Sequence, residues 1–317
     1  MHAAAFDLSA GCSGFIYGLS LATDSIRAGN CQHALVIGAE TLSRVMDWTD
    51  RATCVLFADG AGAVVVSGSE TPGGVLSSAL GADGSGGDYL IVPAGGSKLP
   101  ASHETVDQRL HTIKMNGREV FKFATRTMNK ATRLVCQKAN LSLEDVNLVV
   151  PHQANHRIIQ SAARSLNLPM ERFVVNLDRY GNTSAATVPI ALCEAIESGR
   201  VQRGDHLVLV AFGAGLTWGA AVVKWGVLLP VVPTAWWRRL SRWLYYRWAR
   251  MRSLGVRLRR RLEEWRPFRK NNDNGGRTPS PPPASREQDA QPAESQHQAE
   301  PVAAEEQTPA AESEESS

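Results

Sequence analysis

Apolar positions recur along the first part of the chain in two rhythms, short continuous runs and stretches with three-to-four-residue spacing, which predict alternating strands and helices. Residues 3–8 form a short apolar run. Residues 13–28 have helical spacing and end at Gly29. Runs at 34–37, 54–57 and 63–66 read as strands, the last two flanking a bend at Asp59-Gly60-Ala61-Gly62. A turn-prone stretch over 81–97 precedes a long amphipathic helix over 117–138. Strand 147–150, helix 156–166, strand 173–176, helix 185–198 and strands 206–211 and 220–224 complete the series. Such alternation predicts an α/β fold of layered sheets and helices.

The pattern also repeats. FDLSAGCSGFIYGLSLATDSIRAGNCQHALVIGAE, around Cys12, has the layout of VVNLDRYGNTSAATVPIALCEAIESGRVQRGDHLVLVAFGAG, around Asn182. Each reads as strand, small-residue turn, helix ending in glycine (Gly29, Gly199), polar loop, and a strand opening on histidine (His33, His206). Two related halves follow, with Cys12 and Asn182 at the same structural place. A helix-strand-helix stretch, 115–172, precedes the second unit and has no counterpart before the first, so the first half is expected to be N-terminally incomplete.

Charge separates the rest of the chain from this body. Residues 1–230 carry 19 basic and 19 acidic side chains, 231–270 carry 13 and 2, and 271–317 carry 2 and 10, so the net charge of +3 is a cancellation. Between 236 and 265, apolar residues fall at 236, 240, 243, 244, 248, 251, 254, 258, 262 and 265, a helical period with arginines at many other positions. A Trp- and Arg-rich amphipathic helix suits an anionic membrane surface; docking to an acidic protein or RNA, and a plain solvated helix, are the rival readings. The tail 271–317, rich in Pro, Ala, Ser, Gln and Glu, cannot bury a core and is expected to be disordered. The domain division is thus 1–100, 101–229, a basic helical segment 230–270 and an acidic tail 271–317. The most apolar stretch, 227–237, contains two prolines and is shorter than the roughly 20 residues of a membrane span. Five cysteines (Cys12, Cys31, Cys54, Cys136, Cys193) form no CxxC pair, which suggests neither a disulfide framework nor a zinc site and fits a reducing cytoplasm. Asp7 and the glycines at 11 and 14 break any signal-peptide pattern.

Three residues invite chemistry. Cys12 stands between Gly11 and Ser13-Gly14 at the head of a helix, where the helix N-terminus lowers a thiol's pKa and small neighbours admit a substrate; the alternative is a buried core cysteine. His152 follows strand 147–150, at the carboxyl end where α/β sheets place ligands; the alternative is a histidine held by backbone hydrogen bonds. Asn182 opens a helix, as an ordinary N-cap or as an amide donor for a developing enolate oxygen. His152 and His156 lack the HExxH glutamate, so no metal site is expected. Gly213-Ala214-Gly215 precedes a strand and fails as a phosphate loop, but suits close backbone approach to an oxyanion.

Together GCSGF, VPHQANHRI (150–158), GNTSAATVP (181–189) and AFGAGLTWGAA (211–221) resemble β-ketoacyl-acyl carrier protein synthase III, over essentially all of residues 3–225. The resemblance implies a thiolase-like duplicated layered fold (αβαβα) and a Cys12-His152-Asn182 triad. Cys12 would attack an acyl-CoA, with the backbone N–H groups of Cys12 and Ala214 holding the oxyanion. His152 and Asn182 would hydrogen-bond the malonyl thioester carbonyl as decarboxylation makes an enolate, and the product would be a 3-oxoacyl-acyl carrier protein. It also implies CoA or pantetheine contacts at Arg51, Met115, Gly117, Ala154, Asn155 and Phe212, and carrier-protein docking at Lys122, Arg157 and Arg164. No cofactor or metal is implied; acyl-CoA and acyl carrier protein are the partners of a cytoplasmic homodimer, to which the 236–265 helix adds an anionic membrane surface. The family carries further strands before the cysteine strand and ordinarily stops near Gly226. A truncated, non-catalytic remnant, acting as a membrane or carrier-protein binding module, is the alternative.

Overall fold

The computed structural model of the chain describes residues 3–71 and 73–226, with Leu244, Arg247, Trp248, Met251, Arg252, Gly255 and Leu258. The chain divides into two compact units, Met1–Pro233 and Thr234–Ser317.

In the first unit the order is α1 (Gly14–Arg27), β1 (His33–Glu40), β2 (Gly60–Ser67), β3 (Gly74–Ala82), β4 (Leu90–Ile91), α2 (His103–Asp107), β5 (Lys114–Met115) and α3 (Gly117–Lys138). Then come β6 (Leu148–Pro151), α4 (His156–Leu166), α5 (Leu177–Tyr180), α6 (Thr187–Glu197), β7 (His206–Gly213) and β8 (Thr217–Lys224). A four-stranded sheet has the order β3-β8-β7-β6, with β6 parallel to β7 and the other pairs antiparallel. Strands β1 and β2 form a separate antiparallel pair, as do β4 and β5.

Period-two alternation along β7 sets the layers. Leu207, Leu209 and Ala211 pack with Phe15, Ile16 and Val188 of α1 and α6. Val208, Val210 and Phe212 pack with Met128, Val135 and Ile159 of α3 and α4 on the opposite face. The β1–β2 pair covers the outer side of α1 and α6 through Val36, Val64 and Val66. Its other face presents Leu35, Ile37 and Val65 to solvent, with Leu35 opposite Val65. The predicted duplication is visible: α1-β1-β2 and α6-β7-β8 are each a helix followed by an antiparallel pair whose first strand opens on histidine.

Helices α3 and α4 have the bounds the periodicity predicts, since Asn116 and Asn155 side chains accept backbone N–H groups at their starts and Asn167 ends α4 in the left-handed conformation. Other expectations are corrected. Residues 3–8 are irregular and Phe6 is exposed; among the described residues no strand pairs with them to make a ladder. Residues 54–56 form turns instead of a strand, and Phe57 makes a single parallel bridge to Asn182. Gly60 and Gly62, expected in a bend, lie inside β2, where a Cβ would stand 2.7 Å from the Thr183 side chain and 3.0 Å from that of Pro189. Stretch 173–176 makes a single bridge, Phe173 to Val149, before the Gln153 carboxamide takes over the Asn176 N–H at 3.0 Å. Strand β3 is unexpected, and the stretch expected only to turn contributes β4.

In the second unit the seven described residues are all helical; the rest of 236–265 and the tail 271–317, where a basic helix and a disordered tail are expected, lie outside the described residues. Among the described residues no helix is long and apolar enough to cross a membrane.

Candidate active site

Cys12 occupies a 3-10 turn, Gly11–Ser13, that feeds directly into α1. Gly11 has φ +52°, and a Cβ there would sit 3.0 Å from the Ala214 nitrogen, so glycine is what lets this turn meet the end of β7. The Ser13 and Thr217 hydroxyls lie 2.6 Å apart and each lies 2.8 Å from the Ala10 carbonyl, so that one donates to the other and the second to the carbonyl, pinning the turn to the start of β8. The Cys12 thiol is buried. Burial pushes the thiol up to about 11; the Ser184 side chain and the backbone N–H groups of Cys12 and Ala214 oppose the rise and the Glu40 carboxylate adds to it. Burial thus acts against the acidification expected from the helix N-terminus.

His152 follows the last residue of β6, and its N–H donates to the Val210 carbonyl at 2.8 Å. Its imidazole is buried edge-on against Phe212, with ring centroids 5.2 Å apart. Burial pushes its pKa down to about 3, so the ring is neutral at working pH. The Thr187 hydroxyl lies 2.6 Å from Nδ1 and 2.9 Å from the Ser184 carbonyl. That hydroxyl's one proton goes to the Ser184 carbonyl, so Nδ1–H donates to Thr187 Oγ1; turning the hydroxyl proton to Nδ1 instead would put the neutral ring's proton on Nε2. The neighbouring Gln153 donates to the Pro151 and Val174 carbonyls at 2.8 and 3.0 Å and fixes the loop.

Asn182 is anchored through its backbone, donating to Leu56 at 3.0 Å and accepting from Ala58 at 2.8 Å. Its Oδ1 accepts the Ser184 N–H at 2.8 Å. Capping and donation are therefore compatible, because the cap uses Oδ1 and Nδ2 remains a donor.

The Cys12 turn thus meets the Gly213-Ala214 backbone, Phe212 lies against His152, and hydrogen bonds through Ser184 and Thr187 link Asn182 to His152. The other predicted residues lie on surrounding elements. Ala154 and Asn155 are half-buried after His152, and Asn155 Oδ1 accepts the Arg157 N–H at 2.8 Å. Met115 is in β5, Gly117 opens α3, and Arg51 is exposed in the turns before β2. Lys122 is exposed and pairs with Glu119 at 2.7 Å, while Arg157 and Arg164 are exposed on α4. Sequence reasoning missed Ser184, Thr187 and Glu40. The hydroxyls within GNTSAAT were the available signal for the first two; Glu40 gave none, being one acidic residue at the end of a strand.

Residues 6–84 match the family described as 3-oxoacyl-[acyl-carrier-protein (ACP)] synthase III, and residues 136–225 match its C-terminal family. Over 225 residues the chain is 56% identical to the β-ketoacyl-[acyl-carrier-protein] synthase III of Caldanaerobacter subterraneus subsp. tengcongensis and 58% identical to that of Symbiobacterium thermophilum. Each alignment covers 71% of this chain and 68% of the relative. The crystal structure of the Thermus thermophilus synthase III superposes with a TM-score of 0.64 at 51% identity, covering 70% of this chain and 68% of that one. Both halves of the body are included in these matches, and so are Cys12, His152 and Asn182. The chain therefore belongs to the 3-oxoacyl-[acyl-carrier-protein] synthase III family, condensing enzymes of thiolase-like fold.

Proposed function

We propose that the chain, as a cytoplasmic homodimer, catalyses the condensation that initiates fatty acid synthesis: acyl-CoA, acetyl-CoA in the first instance, and malonyl-acyl carrier protein give 3-oxoacyl-acyl carrier protein, CoA and CO₂. Residues 1–100 and 101–229 are the two halves of the catalytic body. The Cys12 sulfur attacks the thioester carbonyl, a tetrahedral oxyanion forms, and CoA leaves as the thiol while the acyl group stays on Cys12. The Cys12 and Ala214 N–H groups stabilise that oxyanion. Malonyl-carrier protein then binds. With the Thr187 hydroxyl turned to Nδ1, His152 Nε2 and Asn182 Nδ2 donate to its thioester carbonyl; loss of CO₂ leaves the enolate, whose carbon attacks the acyl group as the C–S bond to Cys12 breaks, and the sulfur leaves as thiolate and is reprotonated. A neutral imidazole suits this step, since decarboxylation makes the carbanion without a base. Arg51, Met115, Gly117, Ala154, Asn155 and Phe212 line the CoA and pantetheine path. Lys122, Arg157 and Arg164 receive the acidic carrier protein.

The observation that carries this reading is the close approach of the buried Cys12 turn to the Gly213-Ala214 backbone, where a Cβ on Gly213 would stand 2.5 Å from the Cys12 nitrogen and one on Gly11 3.0 Å from the Ala214 nitrogen. Incubation with acetyl-CoA should add one acetyl group to Cys12, read by intact mass and peptide mapping, and later addition of malonyl-carrier protein should remove it. A chain that gains no acyl group refutes the proposal.

The basic helix supports a second role. Leu244, Trp248, Met251 and Leu258 are exposed apolar residues at helical spacing, and the Arg252 guanidinium lies 5.4 Å from the centre of the Trp248 ring. This stripe, flanked by arginines, would lie in an anionic membrane surface. The chain should sediment with phosphatidylglycerol vesicles and not with phosphatidylcholine vesicles, and W248E with M251E should abolish it. Sedimentation indifferent to the lipid charge and to both substitutions excludes the role.

A further inference from the structure

Gln153 and Asn176 are buried side-chain amides that no step above uses, and both are fully engaged. Gln153 follows His152. Its Nε2 donates to the Pro151 and Val174 carbonyls at 2.8 and 3.0 Å and its Oε1 accepts the Asn176 N–H at 3.0 Å, a set that fixes which way the carboxamide faces. The Val174 N–H donates to the Val149 carbonyl at 2.9 Å just before, so the Gln153 side chain carries the pairing of 173–176 past the end of β6. Asn176 stands where an asparagine ordinarily caps a helix with its own side chain. Here it makes no such cap on α5 and sends Nδ2 across to Glu194 Oε2 at 2.9 Å. The same carboxylate, on α6, accepts two Arg179 guanidinium N–H groups at 2.9 and 2.8 Å and the Tyr180 hydroxyl at 2.7 Å. An exposed ion pair alone contributes little; four charge-assisted hydrogen bonds, one of them from a buried amide, hold a segment in place. Asn182 comes two residues after Tyr180.

We propose that Gln153, Asn176 and Glu194 are positioning residues that hold His152 and Asn182 in register for donation to one carbonyl, a role that rests on the condensing reading. Both donors sit on irregular chain, His152 just after β6 and Asn182 between α5 and a 3-10 turn, so no regular element sets their separation. Helix α6 supplies the reference. Thr187, its first residue, and Glu194 are seven positions apart and share one stripe of the helix, two turns along. At the first turn Thr187 links the His152 ring to the Ser184 carbonyl, and the Ser184 N–H donates to Asn182 Oδ1. Two turns on, Glu194 and Asn176 tie the segment leading to Asn182 to Gln153, and so to the backbone of His152. The inner connection sets the side chains and the outer one the two backbones. Cys12 rides on a separate turn, fixed by Gly11, Ser13 and Thr217, which this outer connection does not join.

The test compares the two half-reactions of the full chain in Glu194→Gln and Gln153→Met, each close in volume to the residue it replaces. The first removes the charge and turns an NH₂ group toward donors; the second removes three hydrogen bonds. Intact mass reads acetyl uptake by Cys12, and labelled CO₂ release at varied malonyl-carrier protein concentration reads the second step. Each variant should keep acetyl uptake within about twofold of wild type. Each should lose kcat for CO₂ release by about 10-fold to 10²-fold with KM little changed, the pattern of donors misaligned for the transition state alone. Added to His152→Ala with Asn182→Ala, Glu194→Gln should cost nothing further, since no donor is left to position. A purely structural role predicts a lower melting temperature with both half-reactions falling together, or a loss that adds in full to that of the double variant. Either result overturns the proposal, and so does unchanged CO₂ release. Circular dichroism establishes that each variant is folded; if Gln153→Met is not, Glu194→Gln decides, its side chain being 20% exposed. A wild type that takes up no acetyl group, or releases no CO₂, refutes the condensing reading itself. A wild type that does both while the variants match it refutes the positioning role alone.

Discussion

Cys12→Ala should take up no acyl group from acetyl-CoA, and its condensation rate should fall to background, a loss on the order of 10⁶-fold as when other catalytic nucleophiles are removed. Its fold should survive. The change exchanges a buried sulfur for a methyl group in a site lined by backbone, and a substitution of that size costs about 1–2 kcal/mol. His152→Ala is the informative companion. Its imidazole is neutral and hydrogen-bonded to Thr187, so it is placed to donate to an enolate and unsuited to holding a charge. It should still become acylated, yet lose malonyl decarboxylation by about 10²–10³-fold, the range for one lost oxyanion donor. Intact mass reads the first half-reaction and labelled CO₂ release the second. Equal loss of both in His152→Ala would make histidine the base for Cys12 and remove the division of labour between the two residues.

How far the sequence reached follows from the range of each interaction. Helices α3 and α4 were legible because a 3.6-residue period and capping asparagines are local signals, and the body's α/β layering followed from the alternation. The apolar run 54–57 misled because the preceding acids capture the backbone: the Asp47 and Asp50 carboxylates accept the Thr49 and Ala52 N–H groups at 3.0 and 2.9 Å and wind the segment into turns. Strand β3 was hidden by Gly74, Gly81 and paired serines, although its burial alternates once it lies against β8. In the site, Cys12 and Asn182 were legible through the duplication. The Ser184–Glu40 contact was not, since it joins residues 144 positions apart through the packing of Ala185 on Gly38, which no local pattern encodes.

Gly213 is where fold and chemistry depend on a single missing atom. It ends β7 with extended backbone, φ −169°, so alanine would suffer no torsional penalty there. The obstacle is space: a Cβ would stand 2.5 Å from the Cys12 nitrogen, 2.8 Å from its Cβ and 3.1 Å from its Cα. All three belong to a turn already fixed by Gly11 and by the Ser13–Thr217 pair, so none is a flexible end that can swing aside. Gly213→Ala must therefore push the cysteine turn away from the Ala214 N–H, opening the two-amide arrangement around the sulfur. We expect a destabilisation of about 1–3 kcal/mol, typical of overpacking. Displacement by even part of an ångström should lower acyl uptake by about 10²-fold. The loss should be selective, because the Cys12 thiol is still present: iodoacetamide, which needs no oxyanion donors, should label the variant far more readily relative to wild type than acetyl-CoA does. If both reagents slow to the same extent, the glycine serves access to the sulfur and not the alignment of the Cys12 and Ala214 N–H groups.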